Sequence, residues 1–113
     1  MSKTGGRVYI LGNKDDDGYY KIGATRGLMS KRLKTLQTGN SGTLYIESVY
    51  ETEYPFIIEN ILHNKLVHKR VLNEWFELDY SDVSKFQEMC KEIENTIEIM
   101  KDNPFFKKKY FKN

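Results

Sequence analysis

Two alternating segments, separated by a run of turn-forming residues, constrain this chain more than any other feature. Arg7-Val8-Tyr9-Ile10-Leu11 and Tyr19-Tyr20-Lys21-Ile22-Gly23-Ala24 flank Gly12-Asn13-Lys14-Asp15-Asp16-Asp17-Gly18. Along a strand, successive side chains point to opposite faces. Turn residues between two such segments predict a hairpin. Val8, Ile10, Tyr20 and Ile22 then face the core, while Tyr9 and Lys21 lie side by side on the other face. A chain of 113 residues has room for one core. Whatever follows must pack on this hairpin.

Gly27 breaks the chain before a helix over about Met29–Thr38, where Met29, Leu33 and Leu36 form one apolar stripe. Gly39-Asn40-Ser41-Gly42 ends it. Leu44 to Tyr50 is rich in β-branched and aromatic residues and predicts a third strand. Pro55 suits the first turn of a second helix, running to about Lys69 with Ile58, Leu62 and Leu66 inward. Glu74 to Leu78 alternates as a short strand or extended segment. Phe86, Cys90, Ile93, Ile97 and Met100 fall at helical spacing, which predicts a long helix over about 81–101. That stripe packs on the sheet or, alternatively, meets a second subunit.

The expected fold is thus α/β of the α+β kind: a small three-stranded antiparallel sheet flanked by helices, with a long C-terminal helix. Residues 1–103 are expected to form one domain, with the motif-bearing region at 6–78. Residues 104–113 follow as a basic aromatic tail, either a nucleic-acid contact or a mobile end.

The longest apolar runs span only a few residues, so no segment crosses a bilayer and no membrane partner is expected. The start of the chain lacks the apolar stretch of a secretory signal. The single Cys90 forms no internal disulfide and, on an apolar stripe, reads as an inert core thiol. An intracellular location, cytoplasmic or nuclear, is the expectation. No zinc-finger spacing of Cys and His occurs. The net charge is only +2, but it is segregated. Residues 1–38 carry a balance of +5, residues 39–100 of −7 and residues 101–113 of +4. Two basic segments around an acidic middle either steer a polyanion or serve solubility alone. Arg26, Lys31 and Lys34 are the candidate nucleic-acid contacts. Abundant Lys, Ile, Tyr and Asn suit an AT-rich genome such as that of a phage, a large DNA virus or some bacteria.

The order of these residues resembles the GIY-YIG nucleases. Val8-Tyr9-Ile10, a turn and Lys21-Ile22-Gly23 look like that family's two strands, and Arg32 stands where it carries an arginine. Ile57-Ile58-Glu59-Asn60-Ile61-Leu62 looks like its glutamate-bearing helix. Tyr20-Lys21-Ile22-Gly23, Glu59 followed by Leu62-His63, and Glu74-Trp75-Phe76 are similar in particular to the T5orf172 branch, also called MUG113. The leading glycine of the first motif is displaced to Gly6, and Lys21 stands where many relatives have tyrosine.

This resemblance implies a metal-dependent DNA endonuclease. Glu59 would hold a divalent ion, Mg²⁺ or Mn²⁺, suited to carboxylate and phosphate oxygens. Tyr9, Lys21, Arg32 and His63 would be the catalytic set. Arg32 would meet phosphate charge. Tyr9 would take a proton from water or position it, for which nearby cations must lower its pKa from about 10. Lys21 is the alternative base if its own pKa is depressed. Relatives often have an asparagine contacting the site, for which Asn73 is the nearest match. Taken singly, the same residues read blandly: Tyr9 as packing, Lys21 as an edge charge, Arg32 as solvated, Glu59 and His63 as an i,i+4 pair. The rival functions are a non-catalytic nucleic-acid-binding module and a helix-mediated interaction protein. DNA is the expected partner. RNA, a homodimer and a partner supplying specificity are left open.

Overall fold

The computed structural model describes residues 5–111. Met1–Thr4, the start of the expected domain, and Lys112 and Asn113, the end of the expected tail, lie outside the described residues. Strands β1 (Gly6–Asn13) and β2 (Tyr19–Thr25) form the expected hairpin, pairing Tyr9 with Gly23, Ile10 with Ile22 and Leu11 with Lys21. Helix α1 (Met29–Thr38) has the anticipated limits. Strand β3 (Leu44–Thr52) returns antiparallel on the far side of β1.

Helix α2 spans Pro55–Lys65 and is followed by a short 3-10 turn, Val67–Lys69, so the expected end at Lys69 is corrected. The turn leads into β4 (Arg70–Leu72), which pairs with β5 (Trp75–Glu77). The sheet therefore has five strands, in the order β3-β1-β2-β5-β4, rather than three. The reason is local. Asn73 adopts φ 54°, a left-handed conformation that asparagine tolerates better than most residues. This lets the chain reverse within two residues and add β4 beside β5.

The expected long helix over 81–101 is two helices, α3 (Tyr80–Ser84) and α4 (Phe86–Met100). Asp79 and Asp82 form a reciprocal capping box on α3, and Lys69 Nζ pairs with Asp82 at 2.6 Å. Those contacts fix α3. The break at Lys85, with φ −93° and ψ 1°, re-aims the chain so that Phe86 enters the core.

Beyond Asn103, which caps the next turn through its side chain, Pro104–Tyr110 form a fifth helix, α5. Phe106 and Phe111 pack against the main core, and Phe111 meets the Tyr54 ring edge-on at 6.2 Å. The expected tail is thus a docked helix over its described residues, because its aromatics find apolar surface to cover.

Both faces of the sheet are covered. On one, Val8, Ile10, Ile22 and Phe76 meet Ile58 and Leu62 of α2 and Phe86, Cys90, Ile93 and Ile97 of α4. The stripe on α4 is consumed internally, which removes the sequence basis for a helix-mediated interaction protein. Each such apolar side chain contributes about 1.5–3 kcal/mol on burial. Burial also pushes the Cys90 thiol up to about 12, so it stays protonated. On the other face, Tyr9, Leu11 and Leu44 are buried under the partly exposed Met29, Leu33 and Leu36 of α1. Among the described residues no helix is long and apolar enough to cross a membrane.

Candidate nuclease site

The site forms where β2 loses its partner. Strand β5 pairs with β2 only as far as Lys21, and past it the Ile22 amide still donates to Glu74 in the turn, which leaves the Ile22 carbonyl without a strand partner there. His63 on α2 fills part of the gap: its Nε2–H donates to the Ile22 carbonyl at 2.9 Å. A carbonyl can only accept, so this contact fixes the imidazole's proton on Nε2. The ring also packs edge-on to Phe76, with centroids 4.9 Å apart.

At Gly23 the strand carries no side chain, and Tyr9 lies across the vacant position. A Cβ at Gly23 would stand 2.6 Å from Tyr9 Cζ. Glycine is therefore required for the Tyr9 ring to lie where it does. Its hydroxyl reaches Arg32, whose Nε donates to Tyr9 Oη at 2.9 Å. One strand and one helix are thereby linked through polar ends that neighbours in sequence do not dictate.

Lys21 Nζ stands 3.3 Å from a Glu74 carboxylate oxygen and 5.7 Å from the centroid of the Trp75 ring. Glu74 lies in the turn before β5, and its carbonyl accepts from the Ile22 amide at 3.1 Å. Glu59 Oε2 lies 3.9 Å from His63 Nε2, one turn along α2.

Electrostatics bind these groups into one cluster. Burial pushes the Glu59 carboxyl up to about 7; the Glu74 charge adds to the rise, and Arg32 and Lys21 oppose it. Tyr9 is also raised: burial outweighs the opposing Arg32 hydrogen bond and charge, and Glu74 and Glu59 push the same way as burial. The condition for Tyr9 to act as a base, a pKa brought below its ordinary value by neighbouring cations, is not met: Arg32 lowers it, but burial outweighs Arg32. Tyr9 is fully buried, and a buried phenol resists ionising.

The structure thus brings Tyr9, Lys21, Arg32, Glu59 and His63 together. None of the hydrogen bonds and ion pairs described for this cluster involves the three expected nucleic-acid contacts. Lys31 and Lys34 are exposed on α1. Arg26 donates to the Gly5 carbonyl at 2.6 Å, and its guanidinium stands 5.6 Å from the Phe56 ring centroid. Glu74 is a full member of the cluster, although the sequence reading did not place it in the catalytic or metal-binding set. Asn73 shares a groove with Glu59, His63 and Glu74.

Among the described residues no group of three or more His, Cys, Asp or Glu side chains is arranged to hold a metal ion. The donor set that does exist suits a different style of site. Mg²⁺ is commonly held by one or two carboxylates, with water and substrate phosphate oxygens completing its shell. Glu59, raised by burial and further by the Glu74 charge, and Glu74 itself are the carboxylates that could hold such an ion.

The T5orf172 domain model matches residues 6–97. This chain therefore belongs to the T5orf172 domain family, in agreement with its resemblance to that branch of the GIY-YIG nucleases. The family is consistent with a nuclease-like or nucleic-acid-related module. Neither a curated protein nor a solved structure gives a significant match.

Proposed function

We propose that this protein is a metal-dependent endonuclease that hydrolyses phosphodiester bonds in DNA. One observation carries the reading: Arg32 is bonded to Tyr9, Lys21 is paired with Glu74, and Glu59 lies within electrostatic reach of all four, although the five are distant in sequence. Phosphodiester cleavage requires positive charge on the phosphate oxygens, a positioned water and stabilisation of the leaving oxygen. A divalent ion held by Glu59, with Glu74 beside it, would supply Lewis-acid stabilisation of that leaving oxygen.

The chain's own residues divide the remaining work. Arg32 commits its Nε to Tyr9, which aims the guanidinium and leaves its terminal nitrogens to donate to phosphate. Tyr9 keeps its proton and accepts from Arg32; fully buried, it aims the guanidinium rather than touching water or phosphate itself. This favours positioning over proton abstraction. Lys21, paired with Glu74, enters as a second cation. His63 is committed to the Ile22 carbonyl and acts as a positioning residue that holds α2, and hence Glu59, against β2.

Nicking of supercoiled plasmid in Mg²⁺ or Mn²⁺, with an EDTA control, tests the proposal. Wild type is expected to nick only with the metal. Glu59→Ala should lose at least about 100-fold in rate while binding DNA as tightly or slightly more tightly, because a carboxylate beside phosphate repels it. Arg32→Ala should lose both rate and affinity, because its cation serves ground state and transition state alike. Near wild-type cleavage by Glu59→Ala would place the metal elsewhere. A wild type that binds nucleic acid but never cuts it is a non-catalytic binding module on the same fold.

A further inference from the structure

Helix α5 lies beyond the residues that the family model matches, so the family reading does not account for it. It docks beside α2, and the surface between them is not closed. Three grooves that share lining residues follow α2, the first two bounded by α5 as well. The first lies between Arg26, Phe56, Lys107 and Tyr110; the second between Phe56, Asn60, Lys109 and Tyr110. The third contains Glu59 and also has Phe56 and Asn60 in its wall. Phe56 thus lines all three, and half of its surface is exposed.

Two aromatics along this path each have a cation over the ring. Arg26 stands 5.6 Å from the centroid of Phe56, and Lys109 Nζ stands 5.2 Å from that of Tyr110. Glu53 is the carboxylate in the wall of the first groove, alongside Arg26 and Lys107. Alternating aromatic faces and cations are the chemistry that holds an unpaired nucleic-acid strand: bases stack and phosphates are neutralised, without dependence on sequence. A duplex hides its base faces and cannot use such a path.

We propose that the groove between α2 and α5 is a track for single-stranded nucleic acid, with Phe56 and Tyr110 stacking bases and Arg26, Lys107 and Lys109 meeting phosphates. The track leads to Glu59; it rests on the nuclease reading and deepens it by naming the substrate as a strand unpaired beside the scissile bond.

The test is fluorescence anisotropy of the full chain with a labelled twelve-nucleotide oligo(dT), in EDTA so that cleavage plays no part, against a duplex of equal length. Phe56→Ala and Tyr110→Ala should each weaken oligo(dT) binding by about 5- to 150-fold, since base stacking contributes about 1–3 kcal/mol, and leave duplex binding nearly unchanged. Lys107→Ala and Lys109→Ala should each flatten the slope of log K against log salt by about 0.7. Both lysines are exposed, so these variants stand even if Tyr110→Ala fails to fold. Unchanged oligo(dT) affinity in Phe56→Ala together with an unchanged salt slope in the lysine variants overturns the track. Tighter binding to phosphatidylserine vesicles than to oligo(dT), lost in the same variants, also overturns it in favour of a membrane surface. A wild type that binds oligo(dT) through these residues yet never nicks in Mg²⁺ supports the track and sinks the nuclease reading. A chain that nicks normally in Phe56→Ala with unchanged binding does the reverse.

Discussion

The two faces of the sheet are built to different standards. The face under α2 and α4 buries twelve residues in one continuous core, nine of them less than 2% exposed. The face under α1 buries Tyr9, Leu11 and Leu44 alone. Helix α1 contributes no fully buried residue and has no side-chain cap at its N-terminus. Its C-terminal end is tied down instead through Gln37, which donates to Gly42 O at 2.6 Å and accepts from the Leu44 amide at 2.8 Å. Stability thus resides on one face, and on the other a lightly held helix presents Arg32. A helix held by few contacts can adjust its cation to a substrate without disturbing the main core.

The contrast breaks most simply by truncating both faces. Ile97→Ala, in the main core, should cost about 2–5 kcal/mol. Leu33→Ala, on α1 and only partly buried, should cost less, about 1–2 kcal/mol, because part of the cavity it leaves is open to water. Urea midpoints read both values. Equal losses would mean that α1 is as much a part of the stabilising core as α4.

A smaller effect sharpens the role of the thin face. Gly23→Ala drives a methyl into the Tyr9 ring, and overpacking of this kind costs about 1–3 kcal/mol. The cost should largely vanish when Tyr9 is already alanine, giving a coupling of at least about 1 kcal/mol in a double-mutant cycle. The same substitution should displace Tyr9 Oη from Arg32 and lower plasmid nicking along with stability. Additive costs would show that the Tyr9 ring moves aside freely and that Gly23 has no role in aiming it.

Much of this architecture was legible in the residues, and the exceptions share a physical cause. The hairpin, α1 and β3 carry period-two or period-3.6 patterns because each has one face to bury. Strand β4 is exposed at all three residues, so no alternation marks it, and its turn uses Asn73-Glu74 rather than an Asn-Gly pair. The break at Lys85 is equally silent. The apolar stripe begins at Phe86, after the break, and the short α3 carries no stripe of its own. In the site, motif order pointed to Tyr9, Lys21, Arg32, Glu59 and His63. Glu74 joins them through the pairing of β5 with β2, a long-range event without a local signature. The direction in which the Tyr9 pKa moves was also hidden. Alternation puts Tyr9 opposite the main core but does not say that a second, smaller core covers that face.

The smallest effect concerns the cost of placing a carboxylate in this cluster. Unfolded, Glu59 titrates near its usual 4.5; folded, burial and Glu74 raise it to about 7. Between those values the folded chain binds more protons than the unfolded one, so stability falls as pH rises. The contribution is whole below about pH 4.5 and lost on passing 7. Glu59→Gln keeps a neutral group at every pH and escapes that loss. In EDTA, the variant should match wild type near pH 4 and exceed it at pH 8. Each tenfold change in proton affinity corresponds to about 1.4 kcal/mol, and partial solvent access reduces the sum, so the gain at pH 8 should be about 1–2 kcal/mol. Titrating groups remote from Glu59 are common to both proteins and cancel in the difference. Added Mg²⁺ should then stabilise wild type and not the variant, narrowing the gap at pH 8. A gap that is constant from pH 4 to 8 would mean that Glu59 ionises as freely folded as unfolded, and that the cluster beside Gly23 is better solvated than its burial implies.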